Sequence, residues 1–382
     1  MKILFVLEHY YPNTGGVEIL FKRICEGLVK KGHEITVVTS TLPNALKVKE
    51  IINGVKIHRI NVPQKWRWRR YLFTFMSIPH LLKIAKDFDI IHTTTYNGAP
   101  PAWFVSKIKK KPSLITIHEI LGEDWKNLMG MGAVGANIHK FLEWLIAVLG
   151  FDKYICVSES TKRNLSKIKQ VSKEKISVIY NAVDYSDFDP TKHKNARAEK
   201  RKELGIKDNE FIYAFYGRPG VSKGAEYLAN AIPKITSNIP NSKGLFILGT
   251  DPKERYDAVT NLINKNSNNN AIIQKPVKYS ELPKYLLAAD CIVIPSITEG
   301  FGYCVTETCA LGIPVVTTNT TAIPEVVSGK HVLIPAKDSD AIAKGVLQVY
   351  NKKYVTTPLK KFETIDCVDG YIKTYEELLN KK

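Results

Sequence analysis

Short apolar runs alternate with helix-spaced apolar patterns along nearly the whole chain, and this alternation restricts the fold more than any other feature. Residues Ile3 to Leu7 form the first run, a turn follows at Pro12 to Gly16, and Val17, Leu20, Ile24 and Leu28 then recur at the spacing of one helix face. Gly32 ends that helix and Glu34 to Thr39 form the next strand, completing a βαβ unit. Further strands are expected at Lys56 to Ile60, Ile90 to Thr93, Leu114 to His118, Tyr154 to Val157 and Ile176 to Ile179. Strands alternating with helices imply a mostly parallel sheet covered on both faces.

A polar, highly charged stretch from Ser186 to Lys202 interrupts the pattern and reads as a linker between domains. Alternation then restarts, with strands expected at Phe211 to Tyr216, Gly244 to Leu248, Ala271 to Gln274, Cys291 to Pro295 and Pro314 to Thr317, and helices such as Ala225 to Ile235 and Glu281 to Ala289 between them. The fold class is therefore α/β, as two doubly wound, Rossmann-like domains in tandem. Open α/β sheets bind ligands beyond the carboxyl ends of their strands, so two such domains are expected to share an interdomain cleft.

Composition narrows the class. The 382 residues suit two domains, and 44% hydrophobic with 24% charged residues are globular values. Met1 to Leu7 reads as a first strand, not a signal peptide, because no cleavage site follows it. Trp144 to Phe151 falls short of the roughly 20 residues that a membrane span needs. The six cysteines are scattered singly without zinc-ligand spacing, which suggests reduced thiols and a cytoplasmic protein. A formal net charge of +18, leaning toward the amino half, should attract phosphate-bearing ligands, nucleic acid or an anionic membrane. No helix-turn-helix, zinc-finger or RNA-recognition pattern accompanies it, so a nucleic-acid partner is not expected.

The segment Cys291 to Val316 reads as strand, loop, helix, strand. Gly300 and Gly302 free the loop to approach a ligand, and a helix opening near Phe301 offers unpaired N–H groups. Glu299 sits in the loop at the strand's carboxyl end, and Glu307, about two helical turns on, would stand roughly 10 Å further along, giving two carboxylates suited to vicinal hydroxyls. In Gly217-Arg218-Pro219-Gly220-Val221-Ser222-Lys223-Gly224, Arg218 offers a bidentate grip on phosphate oxygens and Lys223 a point charge, beside a helix amino end. Gly15 and Gly16 precede the first helix but do not spell the dinucleotide fingerprint; a tight turn with positive φ would explain them equally well. His118 closes an apolar strand, where a structural hydrogen bond is the simplest role. Three Asp-x-Asp triplets (Asp87/Asp89, Asp187/Asp189, Asp338/Asp340) are poorly placed for a metal, and the last opens a helix as a cap.

Pro295-Ser-x-x-Glu299-Gly300-Phe301-Gly302 resembles the signature of family-4 glycosyltransferases, retaining enzymes of the GT-B fold, and Gly217 to Gly224 resembles the basic loop of the same family. The resemblance covers nearly the whole chain apart from Lys352 to Thr364. It implies an acceptor-side domain over residues 1–185, a donor-binding domain over 186–365, and a final helix in 366–382 that crosses back to the first domain. His118, Arg218, Lys223 and Glu299 would act on the sugar and diphosphate. Gly15, Gly16, Gly217, Val277, Gly300, Phe301, Gly302 and Glu307 would bind the donor. No metal and no cofactor are implied; a nucleotide-diphosphate sugar is the co-substrate. Gln274 to Val277 with Ser280 and Glu281 would meet the nucleobase without revealing which base it is.

The chain departs from the family at Glu119, where Asp is usual, at Ala182 in Asn181-Ala-Val-Asp184, where Gly is usual, and at Thr321-Ala322, where Gly-Gly is common. Tyr11 to Glu18 together with Asn181 to Asp184 resembles the phosphatidylinositol N-acetylglucosaminyltransferase branch. Such a resemblance implies transfer of a hexose or N-acetylhexosamine to a lipid-linked or glycan acceptor, at the cytoplasmic face of a membrane. The basic-aromatic run Trp66-Arg-Trp-Arg-Arg-Tyr71 suits an anionic bilayer or, equally, a packed helix with a solvated front. A catalytically silent GT-B subunit that binds a nucleotide sugar or a partner protein is the alternative.

Overall fold

The computed structural model describes residues 1–13, 15–41, 47–63, 69–128 and 132–380. Contacts divide the chain into two compact units. One comprises Met1–Trp125, Gly132–Ala182 and Phe362–Lys382; the other is chiefly Val183–Lys361. The division falls between Ala182 and Val183, inside the Asn181 to Asp184 tetrapeptide.

The first unit holds an eight-stranded sheet of β1 (Lys2–Val6), β2 (Glu34–Ser40), β3 (Lys49–Ile52), β4 (Val55–Ile60), β5 (Ile90–Thr94), β6 (Ser113–Ile117), β7 (Lys153–Cys156) and β8 (Ile176–Val178), in the order β3-β4-β2-β1-β5-β6-β7-β8. All neighbours are parallel except the β3–β4 hairpin, which turns on Asn53 and Gly54, both at positive φ. Its helices are α1 (Gly16–Lys30), α2 (Arg69–Met76), α3 (Ile78–Ile84), α4 (Ala99–Lys109), α5 (Trp125–Leu128, at the boundary between units), α6 (Ala133–Val148) and α7 (Glu159–Leu165). Alternation along β1 shows the two covered faces: Ile3 and Phe5 join the core shared with α1, while Leu4 and Val6 join the core beneath α2, α3 and α4.

The second unit holds β9 (Phe211–Gly217), β10 (Ser242–Leu248), β11 (Ala271–Gln274), β12 (Cys291–Ile294), β13 (Val315–Thr318), β14 (Gly329–Ile334) and β15 (Val355–Thr357), ordered β11-β10-β9-β12-β13-β14-β15. Only β15 is antiparallel. Around the sheet lie α8 (Ala196–Glu203), α9 (Ala225–Asn238), α10 (Lys253–Ser267), α11 (Leu282–Leu287), α12 (Tyr303–Ala310), α13 (Ile323–Val326) and α14 (Ser339–Tyr350). Strand order reverses between β9 and β12, which makes the loops after these two strands the natural ligand position.

Two expectations change. The charged stretch read as a linker contains α8, which packs within the second unit. Arg201 is buried and donates to the carbonyls of Lys207, Glu210 and Ala288 and to Asp290, and Arg197 also reaches Asp290. These bonds give the buried guanidinium the partners that a charge removed from water requires. Lys352 to Thr364, which carried no markers, contains the edge strand β15.

The last helix, α15 (Thr364–Asn380), belongs to the first unit and packs on α1. Tyr371 and Tyr375 enter that core beside His92, whose ring nitrogens lie 2.7 Å from the Tyr375 hydroxyl and 2.9 Å from Thr116 Oγ1. A buried imidazole with both nitrogens satisfied in this way stays neutral, and burial holds it well below the usual histidine range.

Candidate active site

Two loops of the second unit meet at the strand-order reversal. The first leaves β9 at Gly217 (φ 144°), passes Arg218, forms a single turn over Val221–Lys223 and enters α9 through Gly224. The second leaves β12 at Pro295 and enters α12 through Gly302 (φ 99°). Gly224 allows them to touch: its φ is +66°, and a β-carbon there would overlap the Pro295 carbonyl oxygen. The Ile297 amide donates to the Ser222 carbonyl at 2.7 Å, fixing the register between the loops.

Lys223 and Glu299 are joined across this contact. Lys223 Nζ donates to Glu299 Oε1 at 2.7 Å and Oε2 at 2.8 Å, and Ser296 Oγ donates to Oε1 at 2.7 Å. Burial works to lower the Lys223 pKa, but the Glu299 carboxylate outweighs it and holds the ammonium above its ordinary value. The Glu299 backbone amide donates to Thr321 Oγ1 at 2.9 Å. Thr321 itself sits at φ 44°, an unusual conformation for a β-branched residue. Arg218 is exposed, and among the described residues its guanidinium has no hydrogen-bond or ion-pair partner. The site therefore presents one paired cation and one free one.

Glu307 lies elsewhere than its spacing suggests. The helix begins at Tyr303, so half the distance from Glu299 to Glu307 is loop and only the second half is helical. Glu307 is 4% exposed and accepts from the Tyr279 hydroxyl at 2.6 Å, with the Tyr216 hydroxyl 2.9 Å from its other oxygen. Burial raises the Tyr216 phenol well above its usual range, so it remains a donor. Val277 is half-buried in the segment after β11, two residues before Tyr279. Phe301 is buried edge-on to Tyr303 at 5.2 Å, and Gly300 is half-buried beside Glu299. Tyr216 and Tyr279 were given no role by sequence, Ser296 entered only as part of the Pro295-Ser-x-x-Glu299 segment, and Thr321 only as a departure from Gly-Gly; their hydrogen bonds to Glu307 and Glu299 appear in the structure alone.

His118, Gly15 and Gly16 belong to the first unit. His118 follows β6, packs edge-on to Phe21 at 5.9 Å, and has a buried Nε2 without a hydrogen-bond partner among the described residues. Burial lowers its pKa to about 4, so the ring is neutral near pH 7 and free to exchange a hydrogen bond. Gly15 caps α1 with φ −98°, and Gly16 is the first helical residue. Neither has positive φ, which removes the tight-turn explanation. What Gly15 accommodates is the Glu18 carboxylate, which a side chain at position 15 would strike and to which Asn13 Nδ2 donates at 3.1 Å. Thr14 and residues 64–68, including Trp66 to Trp68, lie outside the described residues.

The aspartate triplets have local roles. Asp89 accepts from the Lys2 amide, Asp189 caps the turn at Thr191, and Asp338 caps α14 at Ala341. Among the described residues no group of three or more histidine, cysteine, aspartate or glutamate side chains is arranged to hold a metal ion.

Comparison with known proteins agrees with this geometry. Residues 14–187 match the family described as Glycosyltransferase Family 4, and residues 196–362 match Glycosyl transferases group 1. An uncharacterized glycosyltransferase of Methanocaldococcus jannaschii is 29% identical over 94% of this chain and 93% of its own length. The GPI3 subunit of phosphatidylinositol N-acetylglucosaminyltransferase from Saccharomyces cerevisiae is 23% identical over 98% of this chain and 79% of its own. Among solved structures, sucrose-phosphate synthase from Thermosynechococcus elongatus superposes with a TM-score of 0.81 at 19% identity, covering 100% of this chain and 99% of that one.

Proposed function

The chain belongs to the family 4 and group 1 glycosyltransferases and has their GT-B fold, and from that premise we propose a retaining, metal-independent transfer of a hexose or N-acetylhexosamine. The donor is a nucleotide-diphosphate sugar bound by the second unit, and the acceptor is lipid-linked or a glycan. Similarity to the yeast phosphatidylinositol N-acetylglucosaminyltransferase subunit supports the lipid-linked choice, and a lipid-linked acceptor calls for a peripheral position at a membrane, which we propose is its cytoplasmic face.

The observation that carries this reading is the clamp formed by Lys223 and Glu299 at the strand-order reversal, with Arg218 unpaired beside it. Arg218 takes diphosphate oxygens through two parallel N–H bonds, and Lys223 adds positive charge from a position set by Glu299. As the bond between the anomeric carbon and the diphosphate breaks, negative charge grows on the leaving oxygens. Preorganised cations stabilise that charge more than they stabilise the ground state. Glu299 accepts from sugar hydroxyls while remaining paired to Lys223. Glu307, oriented by Tyr216 and Tyr279, retains lone pairs for the ribose hydroxyls. His118, neutral near pH 7, offers its Nε2 to a sugar hydroxyl, and the acceptor oxygen bonds to the anomeric carbon from the face the diphosphate leaves while its proton passes to the departing diphosphate oxygen.

A screen of UDP-, GDP- and ADP-sugars by thermal shift and by nucleoside-diphosphate release tests the reading. One class of donor should stabilise the protein and turn over slowly with water as acceptor. Binding with no release, even with lipid extracts supplied as acceptor, would instead identify a silent subunit; no binding to any of them would remove the donor site.

A further inference from the structure

Helix α6 is amphipathic in the wrong sense for a helix on a water-facing surface. Its inward edge carries Ala136, Ile146 and Ala147 together with a carboxylate, Glu143, which accepts from the amides of Leu121 and Gly122 at 2.9 and 2.7 Å. Its outward edge carries Val134, Ile138, Phe141 and Leu145, spaced four, three and four residues apart, with Trp144 stacked on Phe141 at 5.9 Å. Val134 is 75% exposed, Ile138 52% and Phe141 55%. An unbroken row of large apolar side chains over three turns is more than a monomeric surface ordinarily leaves in water.

The neighbouring helix extends the same character. On α4, Phe104 and Ile108 are exposed and alternate with Lys107 and Lys110, and Trp103 and Ala99 pack into the core that also receives Ile146 and Ala147 of α6. Helices α3, α4 and α6 contain Lys83, Lys107, Lys109 and Lys140 but only one acidic residue, the inward-facing Glu143. At the end of α4 a groove is lined by five lysines, Lys107, Lys110, Lys111, Lys153 and Lys175, against three carboxylates, Asp152, Glu174 and Glu377, with Lys107 3.7 Å from Asp152, so its lining keeps a positive excess. An apolar row beside a lysine cluster matches one kind of surface, the interface of a bilayer with anionic headgroups: the row enters the acyl boundary while the ammonium groups stay at headgroup level.

We propose that the outward edge of α6, with Phe104 and Ile108 of α4 and the lysine groove, is the surface by which this protein docks on anionic membranes. This proposal deepens the lipid-acceptor reading, but it concerns a surface formed within the first unit alone, so docking can be measured without any sugar transfer. It also moves the contact away from the Trp66 to Tyr71 run suggested by composition.

The test is co-sedimentation of the full chain with phosphatidylcholine vesicles with and without phosphatidylglycerol, at low and high salt. The wild type should bind the anionic vesicles, weakly at high salt, and leave the zwitterionic ones in solution. Phe141→Ser with Leu145→Ser should lower binding by about tenfold or more, given the apolar area removed, with an unchanged melting temperature because both side chains already face solvent. Lys107→Glu with Lys110→Glu should abolish the salt-sensitive part. Failure of the wild type to bind, or undiminished binding by the serine variant, overturns the proposal. So does a wild-type dimer that the serine variant converts to monomer, which would assign the row to a second copy of the chain. Donor release measured on the same variants without vesicles should stay at the wild-type rate, so a failure of docking is distinguishable from a failure of the glycosyltransferase reading.

Discussion

Lys223 Nζ reaches both carboxylate oxygens of Glu299, at 2.7 and 2.8 Å, although 76 residues separate them in the chain. The pair ties the loop after β9 to the loop after β12, the two strands at which the second sheet reverses its order. Together with the Ile297–Ser222 backbone bond, this ion pair fixes both loops of the proposed donor site.

Removing the cations should separate chemistry from folding. Arg218→Ala removes an exposed, unpartnered guanidinium, so turnover should fall by about 10²–10³ at an unchanged melting temperature. Lys223→Ala should lose as much turnover and also destabilise by about 1–3 kcal/mol, because among the described residues Glu299 then keeps only Ser296 as a partner for its carboxylate. Steady-state rates and thermal melts of the two variants check this. Near-normal transfer by both would sink the assignment.

Thr321 is held at φ 44° while its hydroxyl accepts the Glu299 amide. Thr321→Ala should keep the strained backbone and lose the bond, whereas Thr321→Gly loses the bond but relieves the strain. The glycine variant should therefore melt higher than the alanine variant, by roughly 1 kcal/mol in stability, while both lose turnover several-fold. Equal melting of the two would mean that the strain is absent in solution.

Tyr279→Phe removes the 2.6 Å donor to Glu307 without changing ring volume. The expected cost is about 1–2 kcal/mol in stability and a higher KM for the nucleotide sugar, with kcat less affected because the ribose is remote from the breaking bond. A fall confined to kcat would contradict the ribose role of Glu307.

His118 gives a pH signature. Its folded pKa is about 4 against an ordinary value of 6.5. As pH falls from 6.5, the unfolded chain takes up a proton that the folded one refuses, and stability is lost until the folded ring titrates near 4. The contribution over that window is on the order of 3 kcal/mol. His118→Gln should flatten the fall in melting temperature between pH 6.5 and 4, and an unchanged slope would place the acid sensitivity elsewhere, with His92 the first alternative.

What the sequence made legible was local. The strand-loop-helix order around Glu299 and the basic turn at Arg218 depend on glycines and apolar runs that lie within a few residues of each other. Glu307 was found but misplaced, because spacing alone cannot show that the helix starts only at Tyr303. Helix α8 read as a linker because its charged residues look solvated in sequence. Their partners, Ala288 and Asp290, come nearly ninety residues later. The hairpin strand β3 was passed over although Asn53-Gly54 is a hairpin turn signal, since its half-exposed residues form no apolar run. Tyr216 and Tyr279 gain meaning only from the Glu307 carboxylate that they hold, and Thr321 only from the Glu299 amide that it receives, and those contacts are tertiary.

The account stands most directly on the release of nucleoside diphosphate from a nucleotide sugar by the purified chain, compared with Arg218→Ala. The wild type should release it from one class of donor without added divalent cation, and the variant should release it at least about a hundredfold more slowly while melting at the same temperature. Equal release by wild type and variant, or none from any UDP-, GDP- or ADP-sugar, would contradict it.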